Sequence, residues 1–163
     1  MKDFLLKQWL GNSMEDYLWF FATILLGFIF KRLISKYFSR LLFKVIKTKH
    51  ADLGVERFDQ LLTKPISLSI MLSIIFIASS HIEYPASWNL VSENEFGIKM
   101  LVNKSFSLLF IGALFWILLR FIDFIGLILK RNAELTENKM DDQLIPFIIE
   151  IGKIIVYILA IFI

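Results

Sequence analysis

The chain predicts an all-α membrane protein, with four transmembrane helices and a basic amphipathic helical extension after the first. Three observations carry that expectation. The 163 residues are 57% hydrophobic with a mean hydropathy of +0.67, above the roughly 45–50% apolar share of an ordinary soluble domain. The apolar residues gather into runs approaching the roughly 20 residues that a helix needs to cross a bilayer. Four such runs and their loops use up the chain, so one helical membrane domain is expected over 1–163.

The N-terminus, MKDFLLKQWLGNSMED, is short and mixed in charge, with Trp9 suited to a membrane–water boundary. It does not read as a secretory leader. Glu15 and Asp16, not basic residues, precede the first apolar run, and no small-residue cleavage site follows it. The first span covers about 17–34, uncharged from Tyr17 to Phe30 and lengthened by snorkelling of Lys31 and Arg32. Over 31–47 the pairs Leu33/Ile34, Tyr37/Phe38, Leu41/Leu42 and Val45/Ile46 recur every four positions. Lys31, Arg32, Lys36, Arg40, Lys44 and Lys47 lie between them. This is an amphipathic helix with a basic face, which either lies on a lipid surface or continues the first span as a solvated extension.

A looser polar stretch, Thr48 to Lys64, then turns the chain back, with Gly54 as its break and Pro65 in the first turn of the next helix. The second span, 66–82, is uncharged and rich in serine, and small hydroxyl side chains let membrane helices approach closely. His81 reads as an interfacial residue. His50 is too distant in sequence to give a metal-ligand spacing with it. Glu83 to Lys99, with Tyr84 and Trp88, reads as an exposed outer loop carrying an aromatic belt. The third span covers about 103–129, followed by Lys130, Arg131 and a polar link, and the fourth covers 142–163. That last run reaches Ala160-Ile161-Phe162-Ile163 with no charge or turn residue, so the expectation is a longer protein that continues past it.

Thirteen of the 18 Lys and Arg residues fall in the loop after the first span and around the end of the third, against four in the N-terminus and the outer loop. That imbalance places the N-terminus outside and both basic segments in the cytoplasm. The net charge of +3 and pI near 9.1 therefore point to the lipid bilayer as partner, with no nucleic acid. The absence of cysteine excludes a disulfide framework or a thiolate metal site.

Four ionisable residues, Arg120, Asp123, Glu150 and Lys153, fall inside the last two spans, where charge is expensive. In the fourth span Gln143, Pro146, Glu150, Lys153 and Tyr157 recur at helical spacing. In the third, Ala113, Trp116, Arg120 and Asp123 share a face. Counted from Lys130 and Asp142, Arg120 lies about 15 Å deep and Glu150 about 12 Å deep at 1.5 Å per residue. The two faces are expected to meet, with Arg120 against Glu150 in a paired cluster. Closure of each pair within its own helix at i, i+3 is one alternative, and an ion or proton pathway is another. No nucleophile–base pair, phosphate loop or set of metal ligands appears, so neither an enzyme nor a cofactor is expected.

The segment NKMDDQLIPFIIEIGKIIVYILAIFI resembles the entrance to the second helix of small-conductance mechanosensitive (MscS-like) channels. There a DD-x-L-x-P pattern opens a long apolar helix, matched by Asp141, Asp142, Leu144 and Pro146. The stretch LLTKPISLSI is similar to the extra N-terminal spans of longer members. The resemblance covers roughly 31–163 in short pieces. It implies that the last two spans form a tension-sensing paddle in a ring-shaped homo-oligomer, a heptamer, of a bacterial inner membrane. Such a channel protects the cell against osmotic downshock. The family's pore helix and cytoplasmic β domain have no counterpart in this chain, so ions would pass only through a pore helix not present here. Two other classes stay open: a small transporter or permease subunit, with the four charges lining its path, and a non-conducting membrane scaffold.

Overall fold

The structure, a computed structural model, describes residues 8–46, 54–133 and 141–163. A two-stranded hairpin, β1 (Gln8–Trp9) and β2 (Asn12–Ser13), leads into α1 (Met14–Ile46). There follow α2 (Gly54–Ser79), a 3₁₀ turn (Ala86–Trp88), α3 (Ile98–Ala133) and α4 (Asp141–Phe162). All four α-helices are long and apolar enough to cross a membrane. With 33 and 36 residues, α1 and α3 reach roughly 50 Å at 1.5 Å per residue, well beyond the roughly 30 Å hydrocarbon core.

Local chemistry explains where α1 starts. Gln8 pairs with Ser13 and Trp9 with Asn12, and Leu10 (φ 52°) and Gly11 (φ 87°) close the two-residue loop between them. Positive φ at both central positions matches the twist of a tight hairpin, and a leucine adopts it only under constraint. Ser13 then caps the helix. Its Oγ accepts the Asp16 N–H at 3.2 Å, and the Asp16 carboxylate accepts the Ser13 N–H at 2.8 Å, a reciprocal capping box.

The chain divides into two units: Met1–Arg32 with Ser69–Phe110, and Leu33–Leu68 with Ile111–Ile163. In the first unit Ser69 and Ala78 of α2 are buried, and Phe76 stacks on Phe106 of α3 at 5.3 Å. Asn12, only 4% exposed, joins the hairpin to the chain after α2. Its amide donates to the Glu83 carbonyl at 2.8 Å, and its carbonyl accepts the Glu83 N–H at 2.7 Å.

The second unit is centred on three aromatic rings, Phe43 of α1, Phe58 of α2 and Phe124 of α3, with Phe58 and Phe124 edge-to-face at 4.7 Å. Leu62, Pro65 and Ile66 continue the buried stripe of α2. This corrects the expected polar turn: over its described part, from Gly54, the stretch is helix, and Pro65 lies inside α2 rather than in its first turn. The reason is periodic burial. Phe58, Leu62 and Ile66 repeat every four residues, and Gln60 and Lys64 between them are exposed.

Residues 31–46 continue α1 without a break. Its packed face was not foreseen. Ser35 and Ser39 are fully buried, whereas Leu33, Tyr37, Phe38 and Leu41 are exposed. Phe43 apart, small polar groups face inward here and large apolar ones outward, the reverse of a water-soluble amphipathic helix.

In the second unit α3 and α4 pack through reciprocal glycines. A Cβ at Gly126 would strike the Ile149 side chain, and Gly152 faces Ile122 at ordinary contact distance. As the α3 number rises the α4 number falls, so the two helices run antiparallel. Gly126→Leu is expected to lower the unfolding free energy in mixed micelles by about 1–3 kcal/mol, read from its shifted midpoint, the usual cost of overpacking. Ile149→Ala in the same chain should recover much of it. An unchanged midpoint for Gly126→Leu would show that this seam is not close-packed.

Candidate functional site

The charged groups of α3 and α4 converge beside those glycines. Asp123 is the hub. Its Oδ2 accepts from Arg120 Nη1 at 2.9 Å on the same helix, and its Oδ1 lies 2.5 Å from Lys153 Nζ on α4. One carboxylate thus serves two cations, through an i, i+3 pair and a bond across the seam. Its side chain is 22% exposed, so water screens the pair less than on an open surface.

Glu150, expected opposite Arg120, has no ion pair within 4 Å among the described residues and is exposed. The helix register explains this. With Gly126 beside Ile149 and Ile122 beside Gly152, the position across from Arg120 is near residue 154. Glu150 therefore sits about four residues, or roughly 6 Å, along the axis from the level of the Arg120 backbone, and the guanidinium is turned to Asp123. Depth counted from the helix ends missed that offset. The stripe of α4 that packs is Ile145, Ile149, Gly152, Lys153, Val156 and Ala160. Pro146, Glu150 and Tyr157 lie exposed.

A half-open groove of about 600 Å³ runs along this seam, with Asp123, Lys130, Glu150 and Lys153 as its charged lining and Pro146 at one edge. Along the axis Glu150 and Asp123 lie between Lys130 and Lys153. The arrangement can hold two helices in register and can exchange salt-bridge partners. It offers no nucleophile–base pair, and among the described residues no group of three His, Cys, Asp or Glu could hold a metal.

The basic residues of α1 part company. Lys31 places its ammonium over the Phe28 ring at 3.8 Å. Arg40 lies 3.9 Å from Asp59 of α2, and Arg32, Lys36 and Lys44 are exposed. Lys47 lies outside the described residues. Asp59 also accepts a hydrogen bond from the buried Ser39 hydroxyl at 2.5 Å, a second carboxylate with two donors. Asp141 and Asp142 open α4, though their side chains lie outside the described part, and Leu144 and Pro146 follow on its exposed surface.

Sequence reasoning missed Asn12, the Ser39–Asp59 bond and the capping box. Only the last carried a readable signal, Ser13-x-x-Asp16 ahead of an apolar run. Compared with known proteins, the chain matches no family model, no curated protein and no solved structure.

A double-mutant cycle on Asp123→Asn and Lys153→Met is expected to give a coupling of about 1 kcal/mol in unfolding stability. Glu150→Gln should leave the midpoint unchanged. Strict additivity of the two seam variants would show that the cross-helix bond contributes nothing.

Proposed function

We propose that this chain is a membrane-embedded helical module whose packing responds to bilayer tension, the sensing part of a mechanosensitive channel. The observation that carries the reading is the outward surface. Long stretches of Leu, Ile and Phe on all four helices are exposed, while serine, alanine and glycine share the packed positions with a small core of Phe58, Leu62, Ile66 and Phe124. In water such a surface is an aggregation liability, and in hydrocarbon it is the solvent boundary. The helix-opening motif at Asp141, Asp142, Leu144 and Pro146 supports the finer, channel reading by resemblance alone.

The mechanism is thermodynamic. Tension shifts a conformational equilibrium only through a difference in membrane area between states. Helices longer than the hydrocarbon thickness tilt to fit it, so a bilayer that thins under tension favours greater tilt. Between α3 and α4 the seating of Ile149 on Gly126 and of Ile122 on Gly152, together with the Asp123–Lys153 bond, selects one register that a change of tilt must disturb. The charged groove favours a second reading, a small transporter with Asp123 on its path.

Spin labels at the exposed positions Leu118 and Ile154, in the chain reconstituted into vesicles, test the first reading. Their separation is expected to change when lysophospholipid is added to one leaflet, and Asp123→Asn should lower the amount required. A separation that stays constant up to vesicle lysis, combined with Asp123-dependent proton or solute flux in unstressed vesicles, would overturn tension sensing in favour of transport.

A further inference from the structure

We propose that the polar-rimmed cavity of the first unit binds one zwitterionic phospholipid with a primary ammonium, a phosphatidylethanolamine. This goes beyond tension sensing and depends only on membrane residence. The cavity holds about 830 Å³, within the roughly 300–1,000 Å³ range of small-molecule sites. Polarity changes along it as it does along a phospholipid. Phe76 and Phe106, stacked on each other within α2 and α3, form an apolar floor. The rim lies where those helices meet the connecting chain: Glu83 and Tyr84 follow α2, Glu93 precedes α3 and Lys99 is in the first turn of α3.

The charges of the rim select the headgroup. Lys99, whose ammonium lies 5.7 Å from the Tyr84 ring centroid, supplies a cation for a phosphodiester. Glu83 and Glu93 then supply two carboxylates for the neighbouring ammonium, whose three N–H groups are all donors. The Ser79 and Ser80 hydroxyls donate to the carbonyls of Phe76 and Ile77, which leaves their oxygen lone pairs available to the same ammonium. An anionic glycerol headgroup brings no positive charge to those two carboxylates. A choline headgroup has no N–H to give them. The rim is also held in advance, because buried Asn12 clamps both backbone groups of Glu83 without using its side chain.

The test is native mass spectrometry of the purified 163-residue chain in detergent with equimolar dioleoyl phosphatidylethanolamine, phosphatidylglycerol and phosphatidylcholine. Ethanolamine adducts are expected to exceed each of the other two by about five-fold, the scale of a 1 kcal/mol preference. Glu83→Gln with Glu93→Gln should bring the three to parity, and Lys99→Met should reduce the ethanolamine adduct. Circular dichroism checks the fold of each variant, and Glu93→Gln alone, in the connecting chain, decides the same question if the double variant misfolds. Parity in the unaltered chain, a preference for either other lipid, or a preference that survives loss of both carboxylates overturns the proposal. A chain that shows parity yet still moves its spin labels loses this proposal alone.

Discussion

Close approach of helix backbones is the constraint on which the rest of this structure depends. Where lipid tails surround a helix, apolar burial gives little drive for association, and van der Waals contact between small residues takes its place. The packed positions follow that logic. Ser35, Ser39, Ala78 and Ala113 are buried, and Gly126 receives the Ile149 side chain. Large residues are displaced outward as a result, with Phe21 and Leu33 each more than 60% exposed and Leu108 exposed further still. Among the described residues, the Phe43–Phe58–Phe124 cluster, joined by Leu62 and Ile66, resembles the core of a water-soluble fold.

Polar groups are admitted to these seams in company. Asp123 takes Arg120 and Lys153, Asp59 takes Ser39 and Arg40, and the Asn12 amide takes both backbone groups of Glu83. In each case a polar side chain that would be costly to bury alone is given two partners. Such hubs reinforce the register that the contacts of Gly126 with Ile149 and of Gly152 with Ile122 set. The proposed response to tension works against both the interlocked Gly126–Ile149 contact and the ionic bond, which together select one position.

Much of the fold was legible in the residues. Four long apolar runs, the serine-rich second helix and the continuation of the first helix past Lys31 all follow from hydropathy and period. The start of α2 was misread because Glu56, Arg57, Asp59, Gln60 and Lys64 mask the buried Phe58–Leu62–Ile66 repeat, and because a proline so often marks a first turn. The hairpin before α1 went unread for a different reason: its turn places a leucine at positive φ, a position that sequence signals assign to Asn, Asp or Gly.

The candidate site was legible in kind and not in pairing. Residue type and helical spacing alone establish that Arg120, Asp123, Glu150 and Lys153 lie within apolar helices, because hydropathy is a property of each segment by itself. Which of them bond depends on the axial register of α3 against α4, set by Gly126, Ile149, Ile122 and Gly152 in contact. A shift of a few residues along either helix would leave every local pattern intact and exchange every partner. Composition and period therefore determined four apolar helices, and the fit of side chains between α3 and α4 decided that Asp123, rather than Glu150, joins them.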